Sequence, residues 1–214
     1  ELSIMRHAYD EWILTEKVEP TVSFVELAEK VPELRACKFR ERALGLARSL
    51  IGDEATLKAE KYMYRPAGHN VETPWHQDWA FASPNAIGVR LNVWVPLQDT
   101  GTDGGCLWYV PGSHLQDIIP HANRFDIEVG HQKDVDMEAD TALFDSDTAV
   151  PMVLPAGGAV IHHCYSLHKA DPNRSSEPRR AYVLSFGSAT HQRWLKKDMD
   201  AWPWIAERKT PKDK

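Results

Sequence analysis

What this chain has little of narrows its chemistry first. Its three cysteines, Cys37, Cys106 and Cys164, form an odd set with no CxxC spacing. That argues against a disulfide framework and for reduced thiols acting as small buried hydrophobes. No apolar run approaches the roughly 20 residues of a membrane-spanning helix, and no signal-peptide hydrophobic region is present. A soluble, cytoplasmic protein with no membrane span is therefore expected, although the sequence starts at Glu1 rather than at a methionine, which leaves a preceding targeting segment open. Basic clusters are missing too: 25 Lys and Arg against 31 Asp and Glu give a formal net charge of −6. A nucleic-acid partner would need such clusters to neutralise phosphates, so none is expected. Internal repeats and low-complexity tracts are also absent.

What is there suits one domain spanning 1–214. The 43% hydrophobic content, with eight Trp and six Phe, can bury a full core, while 14 Pro and 26% charged residues indicate many loops. Residues 1–55 read as mostly helical. Ser23-Phe24-Val25-Glu26 fits a capping box before a short helix that Pro32 would stop. From Leu34 to Leu50, Ala36, Phe39, Ala43, Ala47 and Leu50 recur at three- and four-residue spacing, and Gly52 is a plausible stop. This amphipathic helix is expected to back a sheet.

From Thr56 the period changes to that of strands, and residues 56–190 read as the β core. One strand, carrying Leu57, Ala59, Tyr62 and Tyr64, ends at the turn Arg65-Pro66-Ala67-Gly68. In Ile87–Leu97, Val89, Leu91, Val93 and Val95 fall on one face and Gly88, Arg90, Asn92 and Trp94 on the other. The second, mixed face either lines a ligand cavity or meets solvent. Cys106–Val110 resumes as strand after a Gly-rich turn. Residues 115–149 stand apart as an acidic insertion or lid, with nine Asp or Glu against Arg124 and Lys133, a local balance of −7. Short strands follow at Pro151–Pro155, Ala159–His163 and Arg179–Gly187. Gln192–Lys197 and Ala201–Arg208 read as C-terminal helix or coil.

The stretch with the strongest chemical potential is Pro74-Trp75-His76-Gln77-Asp78-Trp79. In an extended strand residues i and i+2 share a face, so His76 and Asp78 can offer one nitrogen and one oxygen to a single ion. A non-haem Fe(II) site of the 2-His-1-carboxylate type needs one further histidine and leaves about three of six positions open. Among ten histidines an isolated His-x-Asp is weak evidence, so its meaning depends on a third ligand. His162, His163 and His168 are the downstream rivals.

Taken together, PWHQDW, VWVPLQDTGTDGGCLWYVPGSHL and HHCYSLHKADPNRSSEPRRA resemble the phytanoyl-CoA dioxygenase superfamily of Fe(II)/2-oxoglutarate oxygenases, over roughly Lys61 to Gly187. The resemblance implies a mainly β fold with flanking α-helices, a double-stranded β-helix of the jelly-roll or cupin-like barrel type. It implies that His76, Asp78 and His168 are the catalytic iron ligands. It places Arg179, eleven residues after His168, as the clamp on a 2-oxoglutarate carboxylate, a task that a planar, permanently charged guanidinium suits better than Lys. Because successive strand residues point oppositely, one of Arg179 and Arg180 should face in and the other out. Tyr64 and Arg65 lie where the family often places groups that contact the co-substrate, with Tyr64 taken as cofactor-binding. Gln77, Trp79, Arg90 and Asn92 are candidate substrate contacts, although Gln77 and Trp79 fall by alternation on the face that would pack behind the metal strand.

The implied reaction couples oxidative decarboxylation of 2-oxoglutarate by O2, giving succinate and CO2, to hydroxylation of a substrate C–H bond. Related halogenases replace the carboxylate ligand with a small residue, so the retained Asp78 favours hydroxylation. The substrate is expected to be a small or medium-sized metabolite. The acidic 115–149 segment and the lack of a basic patch for a CoA tail suggest an amine-bearing one. Competing readings are a His/His/Asp zinc hydrolase and a catalytically inactive ligand-binding barrel of the same fold. The oligomeric state is left undefined.

Overall fold

A computed structural model of the chain describes residues 1–16, 37–82, 88–123 and 137–188. The capping box at Ser23, the Pro32 stop and the C-terminal segments Gln192–Lys197 and Ala201–Arg208 lie outside the described residues. Among the described residues, two helices precede the strands: α1, Leu2–Glu16, and α2, Lys38–Ile51. The helix expected from Leu34 is thus described from Lys38. Cys37 sits in extended conformation before it, and Gly52, at φ 97°, stops it as anticipated. Among the described residues no helix is long and apolar enough to cross a membrane.

Ten strands follow among the described residues: β1 Thr56–Arg65, β2 Thr73–His76, β3 Val89–Pro96, β4 Leu107–Tyr109, β5 His121–Asn123, β6 Met137–Ala139, β7 Val150–Pro151, β8 Val160–His163, β9 His168–Ala170 and β10 Arg179–Ser188. They form two four-stranded sheets, in the orders β1-β10-β3-β8 and β2-β9-β4-β7, and a small β5-β6 ribbon. Every pairing is antiparallel. Sequence neighbours are therefore seldom sheet neighbours, and the mainly β, jelly-roll architecture of a double-stranded β-helix results. The strand expected over Pro151–Pro155 shrinks to Val150–Pro151, with Leu154 held by an isolated bridge to Thr100.

The register assigns the two faces of the first sheet. Tyr62 lies opposite Tyr182, and Leu91, Val93 and Val95 opposite Phe186, Leu184 and Tyr182. This face packs with Met5, Tyr9, Ala43, Ala47 and Ile51 of the helices into the larger core cluster. Each large apolar side chain so buried contributes about 1.5–3 kcal/mol, which is why α2 carries its stripe at three- and four-residue spacing. The other face looks at the second sheet. Trp94, Ala181 and Val183 meet Leu107, Tyr109 and Ala170 there in the inter-sheet core. The mixed Arg90-Asn92-Trp94 face of β3 is thus the one turned toward the second sheet, with Trp94 buried there and Arg90 exposed. The three cysteines are free and buried. Burial pushes the Cys106 thiol up to about 11 and that of Cys164 to about 12.

Candidate metal and anion site

His76 ends β2 and His168 begins β9, and the two are register partners with ring centroids 4.1 Å apart. The strand does not continue to Asp78, as the alternation argument had assumed. Gln77 stays extended (φ −118°, ψ 126°) and Asp78 opens a short 3-10 turn, Asp78–Phe81, because the N–H of Trp79 is drawn to the carbonyl of Cys164 and that of Ala80 to Gln77. One extended residue suffices to put His76 and Asp78 on the same side. Asp78 Oδ1 lies 3.6 Å from His76 Nε2 and 3.9 Å from His168 Nε2. One donor atom from each of the three residues falls within 4.8 Å of the other two, a group able to hold a metal ion.

Both imidazoles are prepared for ligation. His76 Nδ1 is 2.9 Å from the carbonyl of Pro74, and His168 Nδ1 is 2.9 Å from that of Ser166. A carbonyl only accepts, so each Nδ1 carries the proton and each Nε2 presents a lone pair toward Asp78. Burial holds His168 well below its ordinary value, which keeps it in the neutral form that a metal requires. For Asp78 burial acts upward, but the surrounding imidazoles, with the hydrogen bond from His162, outweigh it and hold the carboxyl well below the usual range.

Asp78 Oδ2 is occupied separately. Asn92 Nδ2 donates to it at 2.5 Å, and His162 Nε2 lies 3.1 Å away. Asn92 is oriented by Ser185 Oγ, its cross-strand partner on β10, and His162 by the Tyr109 hydroxyl, 2.8 Å from Nδ1. Asn92 and His162 are register partners on β3 and β8. The second sheet thus supplies the two facing imidazoles, and the first grips the other side of the carboxylate. Sequence reasoning weighed His162 only as a rival ligand and missed Tyr109. Phe81, exposed and edge-on to His76 at 5.9 Å, was also not anticipated.

Arg179 and Arg180 divide as alternation requires. Arg180 Nε and Nη2 reach Asp10 Oδ1 of α1 at 2.7 and 2.5 Å, on the helix side. Arg179 points inward, is 2% exposed, and lies over the Trp94 ring at 5.6 Å. Its Nε, Nη1 and Nη2 are all buried without a hydrogen-bond partner. Burial lowers it to about 10, so it remains a cation at neutral pH. Tyr64, expected at the co-substrate, sits elsewhere. It pairs across the sheet with Arg180 and lies under that guanidinium at 5.9 Å, on the helix face. The physical reason is the β1-β10 register, which puts Arg65, not Tyr64, on the same face as Arg179. Arg65 is 1% exposed and donates to Thr73 Oγ1 at 2.7 Å and to the carbonyl of Asp171.

The loop between His168 and Arg179 is knotted around Asn173, which is fully buried. Its Nδ2 donates to the carbonyls of Pro66 and Glu177, each at 2.8 Å, and its Oδ1 accepts from Ser175 Oγ at 2.7 Å. Gly104 bridges to it, and a Cβ at Gly105, where φ is +73°, would stand 3.0 Å from the carbonyl of Asp171. The Gly-Gly turn and the Asn-containing loop are thus one packing unit that fixes the distance along the chain from ligand to arginine.

The remaining candidates sort by face. Gln77 is fully buried. Its Nε2 donates to the carbonyl of Tyr165 at 2.8 Å, and its Oε1 accepts from the N–H of Ile119 at 3.0 Å. Its backbone N–H donates at 3.1 Å to His121 Nε2, an imidazole kept neutral by burial, which lowers it to about 4. Gln77 therefore ties residues 117–121 to the strand that carries His76, with both side-chain polar atoms engaged there. Replacement of Gln77 by Ala strands two buried backbone groups at about 1–3 kcal/mol each. A fall in melting temperature of about 5–10 °C is expected by thermal denaturation, and an unchanged midpoint would contradict this role. Trp79 is 3% exposed and stacked on Tyr165, a core residue. Arg90 is exposed, shares the inner face of β3 with Asn92, and lies over the Trp79 ring at 5.6 Å. The described parts of 115–149 pack behind β2, where Ala139 and Phe144 meet Trp75.

Two antiparallel sheets enclosing a His/Asp/His group and a buried arginine define the class of 2-oxoglutarate- and iron-dependent oxygenases. The phytanoyl-CoA dioxygenase (PhyH) family model matches residues 8–181, and the chain belongs to that family. Among curated proteins, mouse phytanoyl-CoA dioxygenase domain-containing protein 1 is 27% identical over 169 residues, covering 76% of this chain and 55% of the relative. The chain thus spans about half the length of such relatives. Among solved structures, EvdO2 from Micromonospora carbonacea var. aurantiaca in complex with 2-oxoglutarate superposes with a TM-score of 0.79 at 27% identity, covering 96% of this chain and 86% of that one. SnoK, an alpha-ketoglutarate-dependent carbocyclase from nogalamycin biosynthesis, superposes at 0.69 and 25% identity, covering 99% and 83%.

Proposed function

We propose that this chain is the catalytic core of an Fe(II)/2-oxoglutarate-dependent dioxygenase that hydroxylates a C–H bond of a small or medium-sized metabolite, with release of succinate and CO2. The observation that carries the reading is Arg179. A guanidinium 2% exposed with three unpartnered nitrogens is a standing cost unless an anion meets it, and a carboxylate matches its planar fork. The metal donors fit as well. Two neutral imidazoles and one carboxylate suit iron of the 2-His-1-carboxylate type, and His76, Asp78 and His168 would hold it. Bound iron supplies the oxygen chemistry. The chain's own part is to fix the imidazole tautomers, keep Asp78 ionised, fasten the co-substrate carboxylate at Arg179 and exclude water from the inter-sheet space.

The amine-bearing substrate expected from the acidic 115–149 segment draws no support from its described carboxylates Asp140 and Asp145, which are exposed and cap their own 3-10 turns, whereas Arg90, on the inner face of β3, suits a neutral or anionic small molecule. The described parts of the 115–149 segment are better read as backing for β2 than as a lid over the site. A reducing, cytoplasmic setting is in keeping with three free, buried thiols. A zinc hydrolase would leave the Arg179 cation without an anion, and an inactive barrel would have no use for the intact donor set.

Anaerobic titration with Fe(II) and 2-oxoglutarate decides the matter. A weak visible charge-transfer band is expected, and Arg179→Ala should diminish it. Retention of zinc with no band and no succinate would reject the oxygenase reading.

A further inference from the structure

The side of Asp78 that faces away from the two ligand imidazoles carries more structure than a carboxylate ligand requires. Oδ1 faces His76 and His168, whereas Oδ2 meets Asn92 Nδ2 at 2.5 Å and His162 Nε2 at 3.1 Å. His162 is 7% exposed and both its nitrogens are committed, Nε2 toward Asp78 and Nδ1 toward the Tyr109 hydroxyl at 2.8 Å. The direction of these bonds is fixed by donor chemistry. A carboxylate only accepts, so Nε2 carries the proton, Nδ1 is the lone pair, and Tyr109 donates its O–H to it. Tyr109 in turn stacks on the ring of His168 at 5.4 Å and 11°, so the hydroxyl that sets the His162 tautomer belongs to the wall of the metal site.

We propose that His162, oriented by Tyr109 and acting with Asn92, is a positioning residue that holds Asp78 as a one-oxygen ligand. The proposal rests on the oxygenase reading above, and its reason is coordination arithmetic. A metal of this kind takes about six donors. Two imidazoles, a carboxylate bound through both oxygens and a chelating 2-oxo acid would fill all of them, leaving no place for oxygen. With Oδ2 engaged by two donors, only Oδ1 is available, and one position stays open. His162 is not itself a ligand in this arrangement, because the group of donor atoms within 4.8 Å of one another comprises His76, Asp78 and His168.

The test uses the full chain with Mn(II) as probe, read by affinity and by water-proton relaxation in the presence of 2-oxoglutarate. Wild type should keep one exchangeable water position in the ternary complex. His162→Phe should weaken Mn(II) binding about 10–100-fold, as loss of an outer-shell partner does, and should lose the relaxation enhancement as Oδ2 turns to the metal. His162→Gln, which can still donate to Oδ2, should restore both. Tyr109→Phe should act in the same direction more weakly and add nothing in a His162→Phe background, a non-additivity that a merely structural role would not give. If His162→Phe matches wild type in both readouts, or abolishes metal binding as completely as Asp78→Ala, the proposal is overturned, in the second case because His162 is a ligand. Should His162→Phe fail to fold by circular dichroism, the His162→Gln and Tyr109→Phe relaxation values decide. A wild type that binds Mn(II) but forms no Fe(II)–2-oxoglutarate band rejects the oxygenase reading alone, since the Mn(II) affinities still report on His162.

Discussion

Arg179→Met is expected to make the ligand-free protein more stable while abolishing its response to 2-oxoglutarate. The buried guanidinium is lowered from 12.5 to about 10 by desolvation, a difference worth about 3 kcal/mol at 1.36 kcal/mol per pKa unit. The sign follows from linkage: the folded-state value lies below the unfolded one, so the charged form is disfavoured in the fold. The penalty is fully present below pH 10 and relieved only as pH rises through 10 toward 12.5. Methionine fills much of the same volume without a charge. Loss of the cation–π contact with Trp94 takes back about 1 kcal/mol. A net gain of about 2 kcal/mol, or about 4–8 °C in melting temperature, should remain. Wild type should be stabilised by about 2.7 kcal/mol when 2-oxoglutarate is supplied at 100 times its dissociation constant with metal present, and Arg179→Met should not respond. A variant that melts lower than wild type and still responds would refute the assignment of Arg179 as the carboxylate clamp.

The strand pattern and the shared side of His76 and Asp78 are legible in the sequence because each rests on local rules, whereas His168 comes from the family resemblance. Period-two alternation put Asn92 and Trp94 on one face of β3, and alternation again opposed Arg179 to Arg180. What local rules could not supply was register. Tyr64 and Arg65 are equivalent candidates until the β1-β10 pairing puts Arg65 opposite Arg179. His162 and His163 are neighbours until β8 pairs with β3 and sets His162 opposite Asn92. Gln77 is a candidate substrate contact that alternation already sets on the face behind His76 and Asp78, and the partners that hold it there, Tyr165 and Ile119, are 88 and 42 residues away. The acidic balance of 115–149 suggested a cationic substrate because composition carries no direction, and at Asp140 and Asp145 the charge serves the turns that contain it. Asn173 had a detectable signal, an Asn in a turn-forming loop at fixed distance from His168, but its partners at Pro66 and Glu177 appear only in the fold.

The two charged residues of the site are built in opposite senses, and Asp78→Ala should expose the difference. Arg179 waits without a partner, whereas Asp78 is held before any ligand arrives, by Asn92 and His162 on Oδ2. Its carboxyl is held well below the ordinary 3.8, so its contribution to stability is present above that value and is lost as pH falls below it. Removing it leaves the half-buried Asn92 Nδ2 and the buried His162 Nε2 as donors with nothing to accept from them, at up to about 1–3 kcal/mol each. The metal-free Asp78→Ala protein should therefore melt below wild type by about 5–15 °C, the reverse of Arg179→Met. Metal affinity should fall by more than the roughly 10–100-fold typical of an outer-shell partner, taking the Fe(II)–2-oxoglutarate band with it. Asp78→Asn separates the two effects: its carbonyl oxygen can still accept from one donor, so stability should partly recover while the metal does not return. If metal-free Asp78→Ala proved as stable as wild type, Asn92 and His162 would not be holding the carboxylate, and the idea of a ligand fixed in advance by the fold would fail.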